Sequence, residues 1–221
     1  MLQLKSIEGF DNLSSSLIDE INRMGKIKIY PQNTPAMDSD DTMKYFYIMI
    51  KGLVKVFQYN PSKNKEQTLY LLERKDFFDV LSVLDEKPHE VYTLALQTSH
   101  VLELPIQKVR EWIYTNPAFN KAFFPYLSKQ FRQVEELAVD LSLYDTSTRL
   151  IKLLIKNINN TSKNMPLLHK LSHEDIASLI GTARQVVNRQ LQELKKEGII
   201  NIKRKKITLE NISKLLDKVK Q

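Results

Sequence analysis

The chain has no cysteine among its 221 residues. That excludes disulfides, thiol redox sensing, thiolate zinc sites and cysteine-ligated iron–sulfur clusters. Its four histidines, His89, His100, His169 and His173, do not have metal-ligand spacing. His169 and His173 come closest, but the helix start expected at Leu171-Ser172 falls between them, so neither a metal nor a cofactor is expected. No run approaches the roughly 18–20 consecutive apolar residues of a membrane helix. The first residues, MLQLKSIEGFDNLSSSLIDE, lack the basic start and apolar core of a signal peptide. A cytoplasmic protein with no membrane attachment is the expectation. No glycine-rich phosphate loop, nucleophile elbow or pair of catalytic acids stands out either. No residue is assigned a catalytic role, and an enzyme is not expected.

What is present begins with an apolar content of 42%, enough for substantial cores. The net charge of +7 is unevenly spread. From Thr146 onward 16 lysines and arginines face 6 acids, a balance of +10, whereas residues 1–145 balance at −3. A basic last third joined to a near-neutral remainder is the charge footprint of a nucleic-acid-binding module. A membrane-surface module carries similar charge, but it needs an apolar amphipathic surface, and here the apolar residues are used by two capped helices.

Residues 12–24 place Leu17, Ile21 and Met24 on one stripe behind Ser14–Ser16, which predicts a short capped helix. From Lys26 to Pro105 the runs KIKIY, YFYIMI, LVKVFQY, TLYLLE, VYTLALQ and VLELP alternate with breakers such as Pro31, Pro35, Gly52, Asn60-Pro61 and Lys87-Pro88. Short strands at this spacing predict an antiparallel barrel or sandwich. Helical periodicity returns at Ile106–Asn116 and continues in a longer helix ending near Tyr144, which begins or kinks at Pro125. In that helix Phe124, Leu127, Phe131, Val134, Ala138 and Leu141 recur at alternating spacings of three and four. Such a stripe serves either its own domain's core or a partner helix. Its narrowness, bordered by Lys129, Arg132, Gln133, Glu135, Glu136 and Asp140, favours a partner helix and a homodimer.

Leu143-Tyr144-Asp145 reads as a hinge, with Asp145 capping TSTRLIKLLIKNI, whose Leu150, Leu153 and Leu154 face inward. After the loop within 155–166, LSHEDIASLI carries Ser172 as N-cap and Asp175 in the capping-box position. Gly181 suits a left-handed turn. Thr182 is expected to cap the next helix, with Gln185 completing a second box, and that helix stops at Gly198. Two capped helices about a glycine turn make a helix-turn-helix. At about 100° per residue, Arg184, Gln185, Asn188, Arg189 and Gln192 fill one arc. Val187, Leu191 and Leu194 fill the opposite one. A polar arc can be a plain solvated face, but such faces favour Glu and Lys, as this helix does later at Glu193, Lys195 and Lys196. Arg, Gln and Asn are the side chains that bond bidentately to guanine or adenine in the major groove. The arc is therefore read as a DNA-reading face. Beyond it, IINIKRKKITL predicts a two-stranded wing whose Lys203, Arg204, Lys205 and Lys206 lie beside phosphates, along with Thr182 and Gln192.

The order of barrel, long helix, hinge and winged helix-turn-helix resembles the cyclic-AMP receptor protein/FNR family of bacterial transcription regulators. The likeness rests on YFYIMIKGLVKV (45–56), KDFFDVLSVL (75–84), LYDTSTRLIKLL (143–154) and, most specifically, LSHEDIASLIGTARQVVNRQLQELKKEGII (171–200). It implies an α+β chain: an N-terminal antiparallel β-roll of the cyclic-nucleotide-binding, jelly-roll kind in 1–116, a dimerisation helix in 117–144 and a winged helix-turn-helix in 145–221. It implies a homodimer on double-stranded DNA at a near-palindromic operator, with RNA polymerase as a further partner of an activator. It also places base reading on Arg184, Gln185 and Arg189, with Asn188 beside them. Where the family commonly has a glutamate, this chain has Gln185, which predicts a different half-site.

The second departure concerns the effector. Family members that bind cyclic nucleotides cradle the phosphate with a Gly-Glu pair and an Arg-Ser or Arg-Thr pair. Those positions fall on Asp79 and Val80 and on Glu90 and Val91, a degenerate cassette in which an acid replaces the arginine. The positions that would meet the base fall on Val134 and Glu135. Cyclic AMP and cyclic GMP are therefore not expected as ligands, and activity without ligand is the corresponding expectation. The alternatives are an unidentified small molecule near Phe77, Phe78 and Phe131, or a haem on His89 or His100. A cyclic-nucleotide-gated enzyme or scaffold would need the cassette and a catalytic domain, and both are missing.

Overall fold

A computed structural model describes residues 13–38, 41, 43–159, 162–203 and 206–218. These residues form two compact units. One comprises the described residues up to Gln58 together with Tyr70–Val134, and the other joins Tyr59–Leu69 to the described residues from Glu135 onward.

The first unit opens with α1 (Ser15–Met24), capped as expected: Ser14 Oγ accepts from the Leu17 amide, and Leu17, Ile18 and Ile21 are buried. The strands come next as β1 (Lys26–Tyr30), β2 (Tyr45–Lys51), β3 (Val54–Asn60), β4 (Lys65–Leu72), β5 (Phe77–Phe78), β6 (Tyr92–Ala95) and β7 (Ser99–Pro105). They form two sheets, in the orders β1-β7-β2-β5 and β4-β3-β6. The β1–β7, β7–β2, β2–β5 and β3–β6 pairings are antiparallel. Ile48 and Leu102 sit opposite one another in the register, and both are fully buried. Two elements here have no counterpart in the sequence reading, β5 and the short α2 (Val80–Asp85).

Helix α3 (Ile106–Thr115) leads into α4 (Pro117–Leu143), 27 residues long. The expectation that this helix begins or kinks at Pro125 needs correcting on the first count. It starts eight residues earlier, at Pro117, a first-turn position where a missing N–H costs nothing. Pro125 lies inside it. Phe119, Ala122, Phe123, Tyr126 and Gln130 turn inward, joining a core that includes Phe46, Phe77, Leu104 and Trp112. Each such apolar side chain contributes on the order of 1.5–3 kcal/mol by leaving water. Tyr126 is also tied by hydrogen bonds: its Oη donates to the Phe77 carbonyl at 2.7 Å and accepts from Gln130 Nε2 at 2.5 Å. Burial pushes its phenol above the ordinary value.

The expected seam lies on another side of α4. Phe124, Phe131, Val134 and Leu141 are exposed, Phe131 to 66%, as is Ala138. Leu127 is the exception, being half-buried against the core.

In the second unit Asp145 caps α5 (Thr146–Lys156), its Oδ1 accepting from the Thr148 amide at 2.7 Å. Hydrogen bonds from Thr148 hold the carboxyl below its ordinary value. The buried face is Leu150, Ile151 and Leu154, so Ile151 takes the place expected of Leu153, which is only half-buried. Then come α6 (His173–Leu179), α7 (Arg184–Lys196), β8 (Ile200–Lys203), β9 (Lys206–Leu209) and α8 (Ile212–Asp217). Ion pairs link Lys156 Nζ to Glu136 Oε2 at 2.5 Å, and Lys152 to Asp140.

Candidate nucleic-acid interface

The site is built on α6 and α7. Ser172 and Asp175 form the expected capping box: Ser172 Oγ accepts from the Asp175 amide at 3.1 Å, and Asp175 Oδ2 accepts from the Ser172 amide at 3.0 Å. Val187, Leu191 and Leu194 of α7 are buried, the apolar stripe the sequence assigns. For α6 the sequence assigns Ile176, Leu179 and Ile180, and the structure buries Ile176, Ala177 and Ile180 while Leu179 is only half-buried. Gly181 turns the chain at φ +67°. A Cβ there would stand 2.5 Å from Leu141 Cδ2 and 2.9 Å from Gln67 Oε1, so those side-chain ends would have to move, and the left-handed conformation itself favours glycine.

The start of α7 differs from expectation. Thr182 is not its N-cap and makes no capping box with Gln185. The helix begins at Arg184 behind an extended Ala183, with no side-chain cap. The turn takes one more residue than the sequence pattern suggests, and within it the Thr182 amide donates to the Ala177 carbonyl at 2.9 Å. Beyond α7 the helix stops as expected at Gly198, with φ +69°.

Within this unit residues 66–68 close over the end of α6. Gln67 Nε2 donates to the Ser178 carbonyl at 2.9 Å, which supplies a partner for a C-terminal helix carbonyl. Ser178 Oγ donates its one proton to Glu66 Oε1 at 2.8 Å, so Thr68 Oγ1 must be the donor in its 2.7 Å bond to Ser178 Oγ. Thr68 and Ser178 are both buried. This network joins positions about 110 residues apart, beyond the reach of any local sequence pattern. The only available clue is the polar start of a strand otherwise rich in aliphatic residues.

The residues expected from the sequence to read bases lie where the helical arc puts them. Arg184, Gln185, Arg189 and Gln192 are exposed along one side of α7, and Asn188 is half-buried between them. Arg189 Nε lies 4.0 Å from Glu193 Oε1, with both side chains mostly in solvent, so the pair restrains the guanidinium little. Asn188 Oδ1 accepts a hydrogen bond from His173 Nδ1. Thr182 is half-buried at the turn.

The wing is an antiparallel pair with Ile200 opposite Leu209 and Lys203 opposite Lys206. Lys203 and Lys206 are exposed; Arg204 and Lys205 lie outside the described residues. His169 Nε2 donates to the Ile207 carbonyl at 2.9 Å, anchoring β9 from the short turn before α6.

The positions that the resemblance assigns to an effector cassette lie in the first unit, in and after β5 and α2. Asp79 is buried, its carboxylate accepting from Ser82 Oγ at 2.7 Å and His89 Nδ1 at 2.9 Å. Val80 and Val91 are buried, while Glu90 is exposed. Arg110, the buried arginine beside α2, donates to the carbonyls of Ser82 at 2.6 Å and Val83 at 3.0 Å. His100, the other histidine considered for haem, is half-buried on β7, and no group of three or more His, Asp or Glu able to hold a metal occurs among the described residues.

Comparison with known proteins places this geometry. The cyclic nucleotide-binding domain family matches residues 27–116, and the Crp-like helix-turn-helix domain family matches residues 148–218. A global nitrogen regulator from a Nostoc species is 27% identical over 189 residues, covering 83% of this chain and 84% of its own. A CRP-like cAMP-activated global transcriptional regulator from Mycobacterium tuberculosis is 22% identical over 210 residues, 93% of each chain. Among solved structures, a CooA mutant from Carboxydothermus hydrogenoformans superposes with a TM-score of 0.79 at 20% identity, over 99% of this chain and 98% of its own. The fold and the two matched domains define a DNA-binding transcription regulator rather than an enzyme. The chain belongs to the cyclic-AMP receptor protein/FNR family, and its sequence has no cysteine.

Proposed function

We propose that the protein binds DNA as a homodimer at a near-palindromic operator, in the cytoplasm, and that cyclic AMP does not control it. Arg184, Gln185, Asn188 and Arg189 read base edges, while Thr182, Gln192 and the wing residues Lys203, Arg204, Lys205 and Lys206 meet phosphates. The observation that carries this reading is the arc of exposed Arg and Gln side chains on α7, opposite a fully buried aliphatic stripe. A solvated helix needs no such composition, and these are the groups that match guanine and adenine edges.

The exposed stripe of Phe124, Phe131, Val134, Ala138 and Leu141 supports the homodimer. A partner helix there would hold two copies of α7 about 34 Å apart, on successive major grooves. The buried Asp79 carboxylate, already bonded to Ser82 and His89, supports the exclusion of cyclic nucleotides, because a phosphate brought beside it meets like charge. A switch that needs no nucleotide leaves the ligand-free dimer competent for its operator. RNA polymerase is a further partner if the protein activates transcription.

Arg189→Ala tests the reading face. It should weaken operator binding by on the order of 1–3 kcal/mol and relax preference at one base pair in each half-site. Unchanged affinity with an unchanged preferred sequence would remove Arg189 from that face.

A further inference from the structure

Four side chains form the proposed reading face, but one of them is already engaged. Arg184, Gln185 and Arg189 are exposed, whereas Asn188 is half-buried. Its Oδ1 accepts from Nδ1 of His173, the first residue of α6, across a sequence separation of 15. His173 is itself half-buried, and its backbone is fixed by the Ser172–Asp175 capping box immediately around it. The imidazole therefore grips the amide from a rigid position.

An asparagine amide has an acceptor end and a donor end. Bidentate recognition of adenine needs both, the oxygen for N6–H and the nitrogen for N7. With the oxygen held toward α6, the free end of Asn188 is Nδ2, which only donates. A donor suits an edge made of acceptors. Guanine offers two, N7 and O6, while cytosine offers the N4 donor and repels it.

We propose that His173 is a positioning residue for base readout: by holding Asn188 Oδ1 it presents the Nδ2 donors to the major groove and favours guanine, whose edge offers two acceptors, over adenine and thymine with one each, and most strongly over cytosine with none. The inference rests on the proposed reading face. It gives a role in sequence choice to a residue of α6 outside that face.

The test is a selection from random duplex DNA with the full-length protein and with Asn188→Ala, His173→Ala, the double variant and His173→Asn. Asn188→Ala and His173→Ala should each flatten preference at the same base pair, with discrimination falling by on the order of tenfold. The double variant should flatten it no further, since both changes remove one contact. His173→Asn, whose amide nitrogen reaches the place of Nδ1, should restore guanine. An unchanged preference in His173→Ala overturns the proposal. So does an equal loss at every position, which is the mark of a helix that has merely loosened. Arg189→Ala in the same selection separates failure of the proposal from failure of the face. If it alters its own position while Asn188→Ala alters none, Asn188 is not a reader and the proposal falls with the face intact. If neither alters any position, the reading face itself falls.

Discussion

Replacing Phe131 with alanine removes a ring that is 66% exposed in the single chain. A phenylalanine fully enclosed by neighbours buries roughly 200 Å². Two-thirds of that is about 130 Å², worth about 3 kcal/mol per protomer at roughly 25 cal/mol per Å². Both protomers of a symmetric dimer lose it, so the ceiling is about 6 kcal/mol, and incomplete seating at the seam brings the expectation to about 3–6 kcal/mol. That weakens self-association by on the order of 10²–10⁴-fold. Phe123, on the same helix but fully buried, supplies the contrast. Phe123→Ala should cost about 3–5 kcal/mol of folding stability through the cavity it leaves. Sedimentation equilibrium reads the first effect, and denaturant unfolding at a protein concentration where both forms are monomeric reads the second. A dimerisation constant unchanged in Phe131→Ala would refute the seam. A folding loss in Phe131→Ala as large as in Phe123→Ala would show that the ring serves its own domain.

Lys203→Ala and Lys206→Ala should each weaken binding uniformly across DNA sequences and reduce the slope of log affinity against log salt by about 1; anisotropy titrations at several salt concentrations would show it, and an unchanged slope would take those residues off the phosphates. Asp145→Ala removes the cap of α5 and should cost about 1 kcal/mol at neutral pH. Because hydrogen bonds from Thr148 lower the folded-state value below 3.8, that contribution is present above pH 3.8 and lost as pH falls through the lowered value. The stability gap between the two proteins should close there, and a gap independent of pH would place the effect elsewhere. Titration calorimetry with cyclic AMP should give no saturable heat, whereas stoichiometric binding would contradict the reading of Asp79 as a carboxylate that closes the site.

What the sequence revealed and what it concealed divide by range. Ser14, Asp145 and the Ser172–Asp175 box are legible because a cap and its helix are neighbours in the chain. The opposed arcs of α7 come from helical geometry alone. Thr182 shows the limit of local reading. Thr182 and Gln185 have the spacing of a capping box, yet the left-handed turn at Gly181 carries the chain one residue further before α7 starts. Residues 77–85 escaped because FFDVLSVLD is too short and too apolar to display either a strand or a helical period, and it holds two residues of β5 and six of α2. β4 begins at Lys65 rather than near Thr68, its polar start explained by the bonds that Glu66, Gln67 and Thr68 make to α6. Contacts such as His173 with Asn188, or Asp79 with His89, have no periodic signature at all. They exist only once the chain has folded.

The most direct measurement is a selection from random duplex DNA using purified protein with nothing added. Enrichment of a two-fold symmetric site is expected, with half-sites centred about 34 Å apart, one helical turn of DNA. Salt-sensitive binding to all DNA with no enriched sequence would contradict a ligand-free regulator, because the recognition helices would then not stand at operator spacing without a signal.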